Sequence, residues 1–352
     1  MSVTISFKPY ILHRRHPFRI SRGVRTTTPI IITRLQYENV MGFGEASMPP
    51  LYGETIESAI HFLKKIDAKA YDPLNIETFM AFIDDIDTGN SAVKASVDIA
   101  LHDLSGKILQ KPCNEIIGLP FCPSHGTSKT IGIDNLSTIR ERVHDAYEFS
   151  ILKIKLGARN DKAIINNIKT ITDKPLYVDI NQGWTNKYRA LDKIKWLSDQ
   201  GVIFIEQPMP INSKADMAWL KTRSPLPLIG DESIQRLSDM KNADEFFHGI
   251  NIKLMKSSGL NEAGKMVDLA GRKGLKILIG CMSETSCGIS AAYHLSGKAD
   301  YIDLDGNLGI TNDPFTGVET VKGSIYGNRL PGIGLINPED SWNNIHDNHS
   351  LS

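Results

Sequence analysis

Ile151-Leu-Lys-Ile-Lys-Leu-Gly157 is a short apolar run closed by glycine, and two lysines interrupt it. Read as a strand, it places Lys153 and Lys155 on one face, because residues two apart on a strand point the same way. Two readings fit. In the first, an edge strand carries two solvated ammonium groups. In the second, the lysines share a buried site, where each charge makes the other harder to protonate. That lowers at least one lysine pKa towards neutrality, and the lysine can then act as a base near pH 7. What surrounds the stretch decides between them, and decides the fold as well.

Beyond residue 126, short apolar stretches alternate with amphipathic helical ones. Strands are predicted over 130–134, 151–156, 176–180, 202–206, 226–231, 250–254, 277–281 and 301–304, with helical stretches such as 187–199 and 261–272 between them. Most of these strands are largely apolar, as parallel strands buried on both faces must be. Eight strand–helix units in this space fit an α/β barrel closed on itself. An open doubly wound sheet is the rival architecture. No GxGxxG turn follows any strand, so nothing suggests a dinucleotide site.

Upstream the pattern differs. Strands are expected over 3–12 and 30–37, with Glu38-Asn39 turning into a partner strand at 40–44. Pro17-Phe-Arg-Ile-Ser-Arg-Gly-Val-Arg25 reads as an arginine-rich loop, and Met48-Pro-Pro-Leu-Tyr-Gly53 as a second. A helix follows over 54–67, and Asn90 or Ser91 caps a longer one that ends before Pro112. This is an α+β layout. The segment 323–335 has strand-like residues that could return to the first unit, and the polar tail after Asn337 reads as poorly ordered. The division expected is a capping domain over 1–125, joined by 321–352, and a barrel over 126–320.

The chain has 352 residues, with 40 Lys plus Arg against 40 Asp plus Glu. That length allows two domains. The balanced charge leaves no basic field for nucleic acid or an anionic membrane surface. The N-terminus lacks the apolar core of a signal peptide, and no apolar run is long enough to cross a bilayer. Cys113, Cys122, Cys281 and Cys287 show no CxxC spacing, so reduced, mostly buried thiols are expected. A soluble cytoplasmic protein is the expectation.

The charged strand ends raise this above a generic barrel. Asp179 ends Leu-Tyr-Val-Asp, Glu206 ends Ile-Phe-Ile-Glu and Asp231 ends Leu-Ile-Gly-Asp, on consecutive strands. Barrel strands deliver their C-terminal ends to one face, so three carboxylates meet there and repel unless a cation lies between them. Three oxygen donors with positions left open suit Mg2+; separate caps or salt bridges are the plainer alternative. Lys253, in Ile-Asn-Ile-Lys-Leu, ends the sixth strand, opposite Lys155 on the second. That geometry suits proton removal from one face of a carbon and delivery to the other, although a salt bridge from Lys253 to a strand-end acid is also open. Asp303 and Asp305 share a face of the last strand and suit a cationic group of the substrate.

Lys153-Ile-Lys155, Asp179-Ile-Asn-Gln-Gly-Trp184, Glu206-Gln-Pro208, Asp231-Glu-Ser233 and Asn251-Ile-Lys253 together resemble the enolase superfamily, and within it the muconate-lactonizing-enzyme subgroup. Ala100-Leu-His-Asp-Leu-Ser-Gly106 resembles a helix that precedes the barrel there, so the likeness spans nearly the whole chain. It implies a modified (β/α)7β TIM barrel under a cap built from both chain ends. It further implies one Mg2+ per subunit, held by Asp179, Glu206 and Asp231, with Lys or His base chemistry on an enediolate. Lys155 and Lys253 would serve opposite faces of the α-carbon and Lys153 would tune Lys155, with Asn181 and Glu232 as supporting partners. A homo-oligomer is the family-level expectation.

Several activities of that subgroup share the lysine pair: cycloisomerisation, o-succinylbenzoate synthesis, N-acylamino acid racemisation and dipeptide epimerisation. Asp303-Leu-Asp305 resembles the DxD pair with which dipeptide epimerases hold a free ammonium group. Thr130 and Cys281-Met282-Ser283 resemble their substrate-lining positions. Without a substrate cation, two unpaired buried carboxylates would disfavour binding. The expected reaction is therefore a 1,1-proton transfer at the α-carbon of the C-terminal residue of a dipeptide. N-acylamino acid racemase or o-succinylbenzoate synthase is the alternative, and a silent binding or scaffold relative a distant one. Arg22 and Arg25, in the first loop, could bind a substrate glutamate, as in an Ala-Glu epimerase of peptidoglycan turnover; solvated loop charges and hydrophobic dipeptides stay open.

Overall fold

The computed structural model describes residues 2–20, 23–157 and 160–345. Its N-terminal part is a three-stranded antiparallel sheet of β1 (Thr4–Ile20), β2 (Gly23–Tyr37) and β3 (Val40–Ser47). Of the stretch from Pro17 to Arg25, expected as a loop, residues 17–20 and 23–25 are instead strand, paired antiparallel. Phe18 pairs with Arg25 and Ile20 with Gly23, after a register shift beyond His13. Its composition misled because a ladder of backbone hydrogen bonds needs no apolar side chain, and Val24 and Thr26 to Thr28 are β-branched. Arg22 lies outside the described residues.

Helices α1 (Ile56–Leu63), α2 (Ile76–Ile86) and α3 (Ser91–Leu109) cover the sheet. α3 is buried on all sides from Ala92 to Gly106, which requires close backbone approach. Gly44 provides it, because a Cβ there would fall 2.0 Å from the Ser96 carbonyl oxygen. The expected cap of α3 is not made by Asn90, which is left-handed at φ 55 and makes no side-chain cap. Glu54 replaces it, accepting from Ala92 N at 2.9 Å and Val93 N at 3.2 Å. A carboxylate at a helix N-terminus also complements its dipole.

Eight parallel strands follow in sequential order: β4 (Ser128–Ile131), β5 (Ile151–Lys155), β6 (Leu176–Asp179), β7 (Val202–Glu206), β8 (Leu228–Gly230), β9 (Gly249–Ile252), β10 (Lys276–Gly280) and β11 (Tyr301–Asp303). Thr127 bridges to Ile302, and Ser128 Oγ donates to Asp303 Oδ1 at 2.7 Å, so the last strand meets the first. That closure excludes the open sheet. Strand alternation then sorts the interior into layers. Tyr177, Phe204, Ile229 and Leu278 pack together inside the barrel, with Tyr177 and Phe204 stacked at 4.2 Å. Asp179, Glu206 and Asp231 come two residues later on their strands and so form the next layer up, on a dry apolar floor.

The tail after Asn337, expected as poorly ordered, contains a helix at Pro338–Asn344. Trp342 anchors it. The indole is buried 6.1 Å from the Phe43 ring, and Lys8 donates to the carbonyls of Trp342 and Ile345 at 3.0 and 2.8 Å. One large ring with cations over its face offsets a polar composition. All four cysteines are free. Among the described residues no helix is long and apolar enough to cross a membrane.

Candidate active site

At the C-terminal ends of the barrel strands, ligand oxygens of Asp179, Glu206 and Asp231 lie within 4.8 Å of one another, all buried. β5 and β6 run in register with Lys155 beside Asp179, and β6 and β7 with Asp179 beside Glu206. Lys153 Nζ reaches Asp303 at 2.7 Å, Glu206 at 2.8 Å and Asp179 at 3.2 Å. Lys155 Nζ lies 2.6 Å from Asp179 and Lys253 Nζ 2.7 Å from Asp231. Neither strand of the lysine pair is a solvated edge.

The electrostatics differ from the expectation in one respect. A lowered pKa was expected within the Lys153–Lys155 pair, yet Lys153 is raised well above the ordinary lysine value. Burial pulls it down, but Asp303 and Glu206 outweigh burial. Lys253 is raised likewise, burial again being outweighed by Asp231. Glu206 is pushed up to about 7 by burial and by Asp179, against the pull of Lys153. Asp231 resists burial because Lys253 and Lys256 hold its carboxyl well below the usual range. A trio in which one member is driven towards its neutral acid still carries more negative charge than it can hold comfortably. Three hard oxygens so crowded fit a small divalent cation.

A cavity of about 140 Å³ opens above this layer. Lys153, Lys155, Asp231, Lys253, Thr130, Cys281, Met282, Ser283, Asp303 and Asp305 all line it, and so do Asn181, Glu232 and Arg25. Asp179 and Glu206 lie below the lining, behind the lysines. Asn181 bridges the two sides, accepting from Lys155 at 3.2 Å and donating to Glu232 at 3.3 Å. At the other end Asp305 accepts from Thr130 N at 2.9 Å and pairs with Lys129 at 3.2 Å. Asp303 and Asp305 therefore already have protein cations beside them.

Four further side chains at the site were not assigned a role by the sequence reading. Lys256 Nζ donates to Asp231 Oδ1 at 2.6 Å and to the carbonyls of Asp231, Ile234 and Asn251. Asn251 Nδ2 donates to Glu206 at 2.8 Å. Tyr52, from the loop before α1, faces Asp231 and Lys253, and burial raises its phenol well above the ordinary value. Arg14 reaches Ser283 Oγ from β1. Lys256 had a signal, three residues after Lys253 in Asn-Ile-Lys-Leu-Met-Lys256, and so did Asn251, two residues before Lys253 and so on the same strand face; Tyr52 and Arg14 are brought in by tertiary folding alone.

Two family models match. One described as mandelate racemase / muconate lactonizing enzyme, N-terminal domain, covers residues 4–118, and one described as enolase C-terminal domain-like covers 137–338. An L-Ala-D/L-Glu epimerase of Bacteroides thetaiotaomicron is 49% identical over 94% of this chain and 87% of its own. A dipeptide epimerase of Enterococcus faecalis, solved with Mg and the dipeptide L-Leu-L-Tyr, superposes with a TM-score of 0.90 at 27% identity, covering 95% of this chain and 99% of that one. An N-succinyl Arg/Lys racemase of Bacillus cereus superposes at 0.92 with 28% identity, covering 97% of each chain.

Proposed function

This chain belongs to the enolase superfamily, and from that premise we propose that it is a Mg2+-dependent dipeptide epimerase, inverting the α-carbon of the C-terminal residue of an Ala-Xaa dipeptide. One observation carries the reading. A single cavity has two basic lysines on opposite strands at one end and an acidic pair, Asp303 and Asp305, at the other. The first end suits proton exchange at a carbon next to a carboxylate, and the second suits a free ammonium group.

Asp179, Glu206 and Asp231 would hold one Mg2+, which supplies charge to bind the substrate carboxylate and to stabilise the enediolate form of the substrate. The remaining chemistry belongs to the side chains. Lys155 and Lys253 act in opposite protonation states: the neutral amine takes the α-proton from one face, and the ammonium opposite returns a proton to the other. Net charge and oxidation state are unchanged, as a 1,1-proton transfer requires. Lys153 is instead surrounded by three acids, Asp303, Glu206 and Asp179, and is not one of the two opposed lysines. It serves as a fixed cation beside the developing oxyanion. Asn181 orients Lys155 through its link to Glu232. Pro49, Leu51 and Tyr52 of the cap line the same cavity, where a bound substrate would displace water from the reacting carbon.

Arg25 lines the same cavity near Tyr52 and is the cation placed to bind a glutamate side chain on the C-terminal residue. Ala-Glu is the preferred substrate on this reading. Incubation with Mg2+ and L-Ala-L-Glu in D2O should place deuterium at the glutamate α-carbon and yield L-Ala-D-Glu. No exchange across a panel of dipeptides would reject the proposal. N-Acylamino acid racemisation is the second reading, favoured by the way Lys153 and Lys129 already offset Asp303 and Asp305; exchange in N-acyl amino acids but not in dipeptides would establish it instead.

A further inference from the structure

Strand alternation turns Ser128 and Thr130 of β4 inward and Lys129, between them, outward. The inward pair behave so: Ser128 Oγ donates to Asp303 Oδ1 at 2.7 Å and Thr130 Oγ1 to Asp305 Oδ1 at 3.2 Å. Lys129 does not. Its Nζ comes round to 3.2 Å from Asp305 Oδ2, at the seam where the last barrel strand meets the first. We propose that Lys129 is an internal stand-in for the substrate's ammonium group. It holds Asp305 in the free protein and gives way when a dipeptide binds, and so sets the preference for a free amine over an acylated one. The role rests on the epimerase reading, in which Asp303 and Asp305 receive that ammonium group.

Two largely buried carboxylates without cations would be costly in the free protein, and the two cations that offset them differ in kind. Lys153 has a side chain only 3% exposed and touches three acids, Asp303, Glu206 and Asp179. The Lys129 side chain is 25% exposed, and the acid it pairs with is Asp305. Burial pushes the Asp305 carboxyl up, yet Lys129, ahead of the Thr130 N–H and of Lys153, holds it below the ordinary carboxylate value. Lys129 is thus the principal counter-cation of Asp305 and also the looser one.

A partly exposed ion pair contributes little net stability and opens readily. Lys129 lines both the main cavity and an outer one of about 210 Å³, so it has room to turn away. Its Nζ already lies 5.7 Å from the Phe149 ring centroid, a cation–π partner on which it can settle when it leaves. Arg14 also lies within the field of Asp305; the exchange requires no change in its position or charge.

Replacing one ammonium group by another leaves Asp305 with a counter-cation before and after. A dipeptide therefore displaces Lys129 at little electrostatic cost. An N-acyl amino acid brings no cation at this end, and Lys129 stays in place to keep Asp305 paired. Lys129 accordingly weakens dipeptide binding by competing with it, and supports N-acyl binding by sparing it an unpaired carboxylate.

The test uses two ligands that differ only in the amine. N-Propionyl-L-Glu is L-Ala-L-Glu without its ammonium group. With Mg2+ present, L-Ala-L-Glu is followed for KM and kcat of epimerisation, and N-propionyl-L-Glu as a competitive inhibitor of that reaction. In Lys129→Met, KM for L-Ala-L-Glu should fall about tenfold and inhibition by N-propionyl-L-Glu should weaken by a similar factor. The effect should lie in KM, because a displaced competitor alters ground-state and transition-state binding alike. Lys129→Arg, which keeps a cation at Asp305, should bring both constants back towards wild type. If the wild-type protein epimerises L-Ala-L-Glu but KM in Lys129→Met is unchanged or higher, the stand-in role is refuted and the epimerase reading stands. Inhibition by N-propionyl-L-Glu that grows stronger in Lys129→Met would mean that the variant merely widens the cavity, and would refute the role as well. If the wild-type protein epimerises no dipeptide, the epimerase reading itself fails, and the role of Lys129 with it.

Discussion

Lys155 Nζ lies 2.6 Å from Asp179 Oδ2 on the adjoining strand, with which Lys155 is in register. Lys253 makes the matching contact to Asp231 across the barrel, at 2.7 Å. Each lysine proposed to carry a proton is thus tethered to an acid proposed to hold the metal. In a closed eight-stranded barrel the second and sixth strands are diametrically opposed, with three strands between them on either side.

Lys155→Ala and Lys253→Ala should each lose epimerisation by at least about a hundredfold, the usual worth of a positioned general base or acid. Each should still exchange the α-proton of one isomer only, seen as deuterium uptake by NMR in D2O without inversion. Full-rate inversion by either variant would rule out a two-base scheme.

Lys256 holds Asp231 from behind, and that contact should be felt as metal affinity. Chelation should abolish activity and Mg2+ should restore it. Lys256→Met should weaken Mg2+ binding about 10- to 100-fold in a calorimetric titration, the usual effect of removing a support behind a ligand. Unchanged affinity would reduce Lys256 to a structural role.

Arg25→Gln should lower kcat/KM for L-Ala-L-Glu about tenfold relative to L-Ala-L-Leu, since only the former has a charge to pair with it. An equal loss on both substrates would mean that Arg25 shapes the lid rather than reading the side chain.

Glu45 and Glu284 face each other where the cap meets the barrel. Burial and their mutual repulsion push Glu45 up to about 8, and burial pushes Glu284 up to about 7. Because these values are raised, the folded state holds protons that the unfolded chain releases from its ordinary carboxylate value upward. Stability therefore falls as pH climbs from there to about 8. The denaturation midpoint should drop between about pH 6.5 and 8.5, and Glu284→Gln should flatten that slope, by on the order of 1–2 kcal/mol. The window starts above the range in which His294, lowered to about 4 by burial, would act in the opposite direction. A midpoint that rises with pH would contradict the assignment.

Gly44→Ala should destabilise the cap by about 1–3 kcal/mol or more, because the new methyl group would meet the Ser96 carbonyl oxygen of α3 at 2.0 Å. A wild-type midpoint in urea would show that the helix can move away.

Much of the site was legible because strand periodicity does not depend on distant contacts. Alternation alone put Lys153 with Lys155 and Asp303 with Asp305, and an acid at the end of three successive strands implied a shared face. The hairpin arm and the C-terminal helix were misread for the opposite reason. Pro17 to Arg25 and 338–344 are locally polar. The first is ordered by a backbone ladder that composition does not reveal, Phe18 with Arg25 and Ile20 with Gly23; the second by partners far off in the chain, Phe43 and Lys8 around Trp342.

By itself the sequence determined the barrel, the acidic trio, the opposed lysines and the acidic pair, because all of these follow from where a residue falls on its own strand. Only the tertiary structure decided the charge states and the rim. Lys153 is held protonated because Asp303 and Glu206, 150 and 53 positions further along, fold to within 2.7 and 2.8 Å of it. Lys256, Tyr52 and Arg14 enter the site by the same means. Coulombic interaction depends on distance in space, and separation along the chain does not reveal it.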